Sequence, residues 1–208
     1  MKFQYDYVGP ENLEAVFDRG VVRIRTINGK SFGTLVMEDP IQAVFSADEI
    51  VIRTPAEHFV SGKKYDMEVQ VMHTAVSGDV KFQANLSFLY QISEGEVGRA
   101  FSKLDIMNLP NPKINVVKQA LKDKLHVFDF FFDEKDDVEN GAPFNYFVYI
   151  GSQTMPPCAE NVFWIIPDDT QTISSTIVGM FMDALIDPES DVPNPITSGN
   201  NRFFSVLC

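Results

Sequence analysis

Apolar and polar side chains alternate with a period of two over many short stretches of this chain, and few stretches carry the wider spacing of a helix. The stretches that read as strands are Val21 to Ile27, Ser31 to Met37, Glu49 to Arg53, Tyr65 to Thr74, Asn85 to Ile92, Tyr146 to Ile150 and Val162 to Ile166. Their β-branched and aromatic residues suit a pleated, half-buried surface. Asn28-Gly29, Ser61-Gly62, Ser77-Gly78-Asp79 and Asn140-Gly141 separate such stretches and predict turns. Helical spacing is confined to Val97 to Leu104, Asn115 to Leu121 and Ser174 to Leu185, the last beginning on a serine suited to capping it. The predicted fold class is therefore mainly β, with short peripheral helices. No repeat, linker or break in composition divides residues 1–208, which read as a single domain.

The phenylalanine-rich segment His126 to Asp133 draws on a total of 18 phenylalanines and is read as core packing, with a partner surface as the alternative. Charge narrows the partners. With 29 acidic against 17 basic residues, the net charge of -12 repels phosphate backbones and anionic lipid, so no nucleic-acid partner is expected. The acidic run Asp133 to Asp137 lacks the ligand spacing of a calcium loop and reads as solvated. No apolar run is long enough for a signal sequence or membrane span. The cysteines, Cys158 and Cys208, form no paired motif, so neither a disulfide framework nor a zinc knuckle is expected. Asn85-Leu86-Ser87 fits a glycosylation pattern but lies within a predicted strand, which makes a chance match the better reading.

Two motifs carry a family resemblance. The first runs from Arg53 to His73 and sets Glu57-His58, Gly62, Tyr65, Glu68 and His73 at fixed spacing. The second is Tyr149-Ile-Gly-Ser-Gln-Thr154, followed by Pro156-Pro157-Cys158, Glu160, Val162 and Trp164. Together they resemble the α-class carbonic anhydrases, with a weaker match at Asn200-Asn201-Arg202, so that the likeness covers about residues 21–202. It implies the α-carbonic anhydrase fold, a large, twisted, mostly antiparallel sheet lining a conical cavity that in the family holds zinc on three histidines. The chain is expected to be shortened at both ends relative to the family, leaving surface for a partner to cover.

At the three positions that match the zinc ligands stand Val51, Arg53 and Gln70. Valine has no donor atom, arginine keeps its charge and offers no lone pair, and glutamine is a poor zinc ligand. Zinc is therefore not expected, nor any other cofactor. Glu57, Glu68 and Thr154 match the polar residues that support the metal site in the family. Lys30 stands at the proton-shuttle position, where a lysine of ordinary pKa would transfer protons poorly near neutral pH. The remnant substrate pocket maps to Met72, Asn85, Gln153, Val162 and Trp164, and is more polar than the family's apolar lining. Buried without zinc, the Arg53 guanidinium needs an acid, and Glu68, Glu49 and Glu57 are the candidates.

The resemblance thus implies a pseudoenzyme: a carbonic anhydrase-like protein without hydratase activity, serving as a structural subunit or protein-interaction module in a larger assembly. One alternative is an altered esterase or hydratase whose metal has moved, for example to Glu57, Glu68 and His73, although strand parity sets His73 on the opposite face from Glu68. Another is a small ligand in the remnant cavity. The resemblance sets Cys158 where secreted family members often place half of a disulfide, and the absence of the usual N-terminal partner favours an intracellular or organellar compartment, the mitochondrion included, over secretion.

Overall fold

The computed structural model describes residues 3–18, 20–38, 42–77, 80–94, 99–110, 118–131, 145–155, 158–185 and 202–203. Its strands are β1 (Phe3–Tyr7), β2 (Leu13–Asp18), β3 (Val21–Thr26), β4 (Gly33–Met37), β5 (Ala43–Arg53), β6 (His58–Phe59), β7 (Met67–Ser77), β8 (Val80–Ile92), β9 (Lys118–Leu121), β10 (Tyr146–Ser152), β11 (Glu160–Pro167), β12 (Gln171–Ile173) and β13 (Arg202–Phe203). Among the described residues two α-helices, α1 (Arg99–Lys103) and α2 (Ser175–Leu185), lie outside the sheet. The main sheet runs β10-β11-β8-β7-β5-β3-β2-β9, with β1 and β4 branching from β5 and β12 from β8. Within this sheet pairing is antiparallel except where β8 meets β11 and β12, and β6 pairs in parallel with β13 in a separate two-stranded sheet. The mainly β architecture of the family is thus present.

Alternation decides the two faces. Val22 and Ile24 on β3, Ile50 and Ile52 on β5, Met67, Val69 and Val71 on β7, and Leu86 and Phe88 on β8 are buried in one apolar cluster with Phe101 and Phe181 of the helices. The phenylalanine-rich segment joins this core: Phe128, Phe130 and Phe131 are buried, and Phe128 packs edge-on to Tyr5 and Tyr7. Its Phe132 and Asp133 lie outside the described residues. On the other face, Glu49, Val51 and Arg53 of β5 stand beside Met72, Gln70 and Glu68 of β7, and these beside Asn85, Ser87 and Leu89 of β8.

Several strands exceed their sequence-based limits. β5 begins at Ala43, where it pairs with Met37 of β4, and its ladder to β7 shifts register between Ala47 and Glu49. The extra residue, Asp48, breaks the alternation that would mark the strand, yet it is what turns Ile50 and Ile52 to the core and Val51 and Arg53 to the polar face. The short strands β1, β2, β9 and β12 escaped notice. Asn115 to Leu121 is a correction: its described part, Lys118–Leu121, is β9 and not a helix, because pairing with Leu13 to Val16 of β2 outweighs the weak helical spacing. The helices near Val97 to Leu104 and Ser174 to Leu185 are present, the second with Ile177 N–H donating to Ser174 Oγ at 3.3 Å. Ser61 and Gly62 both have positive φ in the turn between Val60 and Lys63, and Gly29 has φ of 70°. Gly33 lies so close to β1 that a Cβ would sit 2.2 Å from the Asp6 carbonyl oxygen. Gly78-Asp79, Asn140-Gly141 and the acidic run lie outside the described residues. Among those described, no helix is long and apolar enough to cross a membrane.

Candidate functional site

The polar face converges on Gln70 of β7, which is fully buried between β5 and β8. Its register partners are Val51 on one side and Ser87 on the other. Arg53, opposite Glu68 in the same ladder, directs its Nε–H to Gln70 Oε1 at 3.0 Å and pairs through Nη1 with Glu57 Oε1 at 3.0 Å. Gln70 Nε2 donates to Glu68 Oε1 at 2.7 Å and to Glu57 Oε2 at 3.3 Å. Among the acids named from sequence, Glu57 is therefore the direct partner of Arg53. Glu49 is taken instead by Arg23 from β3, which also binds Asp18 and contacts the sulfur of Met155. Burial lowers the Arg53 pKa from its ordinary value, while the charges of Glu57 and Glu68 raise it and limit the fall.

Glu68 is the other centre of the network. Its Oε2 accepts the backbone N–H groups of Glu57 and His58 at 2.8 and 3.0 Å, and Oε1 accepts from Ser87 Oγ at 2.7 Å. His58 Nδ1 lies 2.5 Å from Glu68 Oε1, and His58 Nε2 is 2.7 Å from Tyr149 OH. Burial alone would raise the Glu68 pKa, but the charge and hydrogen bond of His58, with those from Gln70 and Ser87, hold it well below the usual carboxylate range. A carboxylate so placed is an organising anion for the β6–β7 junction, with its hydrogen-bonding capacity taken up inside the protein.

Val51 is fully buried and presents only methyl groups at its position. Thr154 is buried just beyond β10, and Gln153 beside it is half-buried, with its backbone N–H bound to Ala159 O at 2.8 Å. Lys30 is exposed in the β3–β4 turn, where its backbone N–H and C=O bind Asn28 and Thr26. His73 lies on the opposite face: Nδ1–H donates to the Val71 and Ala84 carbonyls, and Nε2 accepts from Tyr7 OH at 2.9 Å. Burial pushes its pKa down to about 4, so it is neutral at physiological pH. It shares no site with Glu57 and Glu68, and among the described residues no group of three His, Cys, Asp or Glu side chains is placed to hold a metal.

Of the positions expected to line a remnant pocket, Asn85 lies on β8, Val162 and Trp164 on β11 and Met72 on β7, while Gln153 follows β10. Asn85 pairs across the sheet with Met72 on one side and Trp164 on the other, and Gln83 stands opposite Val162. Trp164 and Val162 are fully buried, and Trp164 Nε1–H donates to Ser152 O at 3.1 Å. Asn85 is buried with neither Oδ1 nor Nδ2 hydrogen-bonded among the described residues, and Gln83 Oε1 is in the same condition. Leaving a buried polar group unpaired costs about 1–3 kcal/mol, so this wall is an expensive arrangement. Its burial makes Asn85 a poor glycan acceptor, in keeping with the chance reading of its motif.

Arg23, Ser87, Tyr149 and Gln83 were not among the candidate site residues named from sequence, although Tyr149 opens the second motif. Ser87 and Gln83 share the parity of Asn85, and that period-two signal would have found Ser87; Gln83 fell before the predicted start of the strand. Arg23 carries no local signal, and the motif that contains Tyr149 does not reveal its partner, because both roles depend on strands distant in sequence.

Residues 51–204 match the family model described as eukaryotic-type carbonic anhydrase. The chain is 30% identical over 158 residues to carbonic anhydrase Nec1 of Nesocodon mauritianus, an alignment covering 74% of this chain and 52% of that protein. Dioscorin dioA3 of Dioscorea japonica is 23% identical over 158 residues, with 76% and 53% covered. The chain thus spans about half the length of these curated relatives. The solved α-carbonic anhydrase of Photobacterium profundum superposes with a TM-score of 0.70 at 20% identity, over 94% of this chain and 79% of that one.

Proposed function

Because the chain belongs to the eukaryotic-type carbonic anhydrase family, we propose that it uses the family scaffold without the hydratase chemistry, as a structural subunit or protein-interaction module in a larger assembly. The observation that carries this reading is Arg53, a cation tied to Glu57 and Gln70 at a position matching a zinc ligand. A catalytic zinc of this kind needs three protein lone pairs and one open position. Val51 supplies no donor atom, the Arg53 guanidinium has only N–H groups to offer, and Gln70 Oε1 already accepts from Arg53. These side chains do not fit the metal, and its displacement by the guanidinium keeps a positive charge between Glu57 and Glu68. An intracellular or organellar setting accords with Cys158, which is exposed and free among the described residues.

Metal analysis of the purified protein, a carbon dioxide hydration assay with added zinc and a pull-down from the native source test the proposal together. The expected results are zinc far below one equivalent, hydration no faster than the buffer and a co-purifying protein. Stoichiometric zinc with hydration that a sulfonamide blocks would overturn the non-catalytic reading. A stable monomer without any partner would overturn the assembly role alone.

A further inference from the structure

The ion network on β5 and β7 closes on itself, whereas the amides beside it on β8 do not. Asn85 is 1% exposed and has no hydrogen-bond partner among the described residues, although its side chain carries both a carbonyl and an NH2 group. Gln83 stands two residues away on the same face, half-buried, with its Oε1 enclosed and unpaired. Their cross-strand neighbours cannot serve them. Met72 and Val162 bring no strong donor or acceptor, Trp164 Nε1–H is committed to Ser152 O, and Thr74, opposite Gln83 on β7, gives its hydroxyl hydrogen to Asp48 Oδ2.

Buried polar groups in folded proteins are overwhelmingly paired, so three amide atoms on one wall that are unpaired among the described residues point to a partner beyond those residues. The atoms specify its chemistry. Asn85 Oδ1 and Gln83 Oε1 each need a donor, and Asn85 Nδ2 needs an acceptor. A carboxylate has no donor for the two carbonyls, and an ammonium ion has no acceptor for the NH2 group. We propose that Asn85 and Gln83 form a subsite for a small neutral molecule bearing two N–H or O–H donors and one acceptor oxygen, a primary carboxamide being the simplest such group. Gln83 meets it at the half-buried rim and Asn85 holds it at depth against Trp164. This reading is independent of the scaffold role, which stands whether or not the subsite is used.

The chain has a single tryptophan, Trp164, and it adjoins Asn85, so its fluorescence reports on the subsite. Acetamide titrated into the full chain is expected to change the emission saturably. N,N-dimethylacetamide, which keeps the acceptor but lacks N–H donors, is expected to give only the linear response of a changed solvent. Asn85→Val should weaken the acetamide response by about tenfold or more, because the hydrogen bonds that select the ligand are gone. Circular dichroism verifies that this variant folds, and if it does not, Gln83→Leu at the rim takes its place with a several-fold weakening expected. Equal responses to the two amides, no saturation, or an undiminished response in the folded variant would mean that the wall is merely hydrated, and the subsite would be refuted.

Discussion

Around Gln70 the amide nitrogen and oxygen both have protein partners; one strand away, around Asn85, neither does among the described residues. The two glutamine-like side chains lie on the same sheet face and are equally buried. What separates them is the company each keeps. Gln70 stands among Arg53, Glu57 and Glu68, so its dipole bridges a cation and two carboxylates. Asn85 stands between a thioether and an indole ring whose N–H is already used. Polar burial on this face is thus a matter of local complementarity, with a self-contained region beside one that looks outward for its partner.

The largest effect is expected at the hub of the self-contained region. Glu68→Leu strands His58, Gln70, Ser87 and two backbone N–H groups, so a loss of about 4 kcal/mol or outright unfolding is expected in urea denaturation. A loss below about 1 kcal/mol would mean that the network contributes little.

Arg53→Met comes next. It leaves Glu57 buried without its cation, and breaking a buried pair from one side typically costs about 3–5 kcal/mol. Adding Glu57→Gln should restore a good part of that stability, and a double-mutant cycle measures the coupling. Strict additivity would show that the pair is not a unit.

A third test sets the ionic network against the neutral His73 on the opposite face. The folded-state pKa of His73 is depressed to about 4 from 6.5, so the unfolded chain takes up the proton first as pH falls. The stability linked to neutral His73 is complete above pH 6.5 and is lost as pH falls through about 4, amounting to about 3 kcal/mol. Glu68, whose folded pKa is also depressed, adds a loss that begins only as pH falls below its ordinary value of 4.5. Urea midpoints measured between pH 7 and pH 4 check this order, and stability unchanged from pH 7 to 5 would contradict the neutral buried histidine.

The smallest effect is expected at the outward-looking region. Asn85→Val removes unpaired amide atoms and fills the site with methyl groups, so stability should stay within about 1 kcal/mol of the original or rise. A loss of several kcal/mol would show that the Asn85 amide is hydrogen-bonded in the folded protein after all.

Much of the fold was legible because alternation is a local property: the strands around Val22, Val69, Phe88 and Trp164 announce themselves through residues two apart. β5 was only half visible, since the Asp48 bulge reverses parity partway along it. β9 was misread, since four residues hold too little pattern to outvote a helix and the partner β2 lies about a hundred residues earlier.

By itself the sequence determined the mainly β character, the chemistry that Val51, Arg53 and Gln70 can offer, and the need of a buried arginine for an acid. Only the tertiary structure decided which acid. Glu49 shares the face of Arg53 but is claimed by Arg23 across the β3–β5 ladder, which leaves Glu57 to complete the pair. The isolation of Asn85 was decided in the same way, because whether a buried amide is satisfied depends on what neighbouring strands bring within about 3 Å, and strand parity reveals only the face.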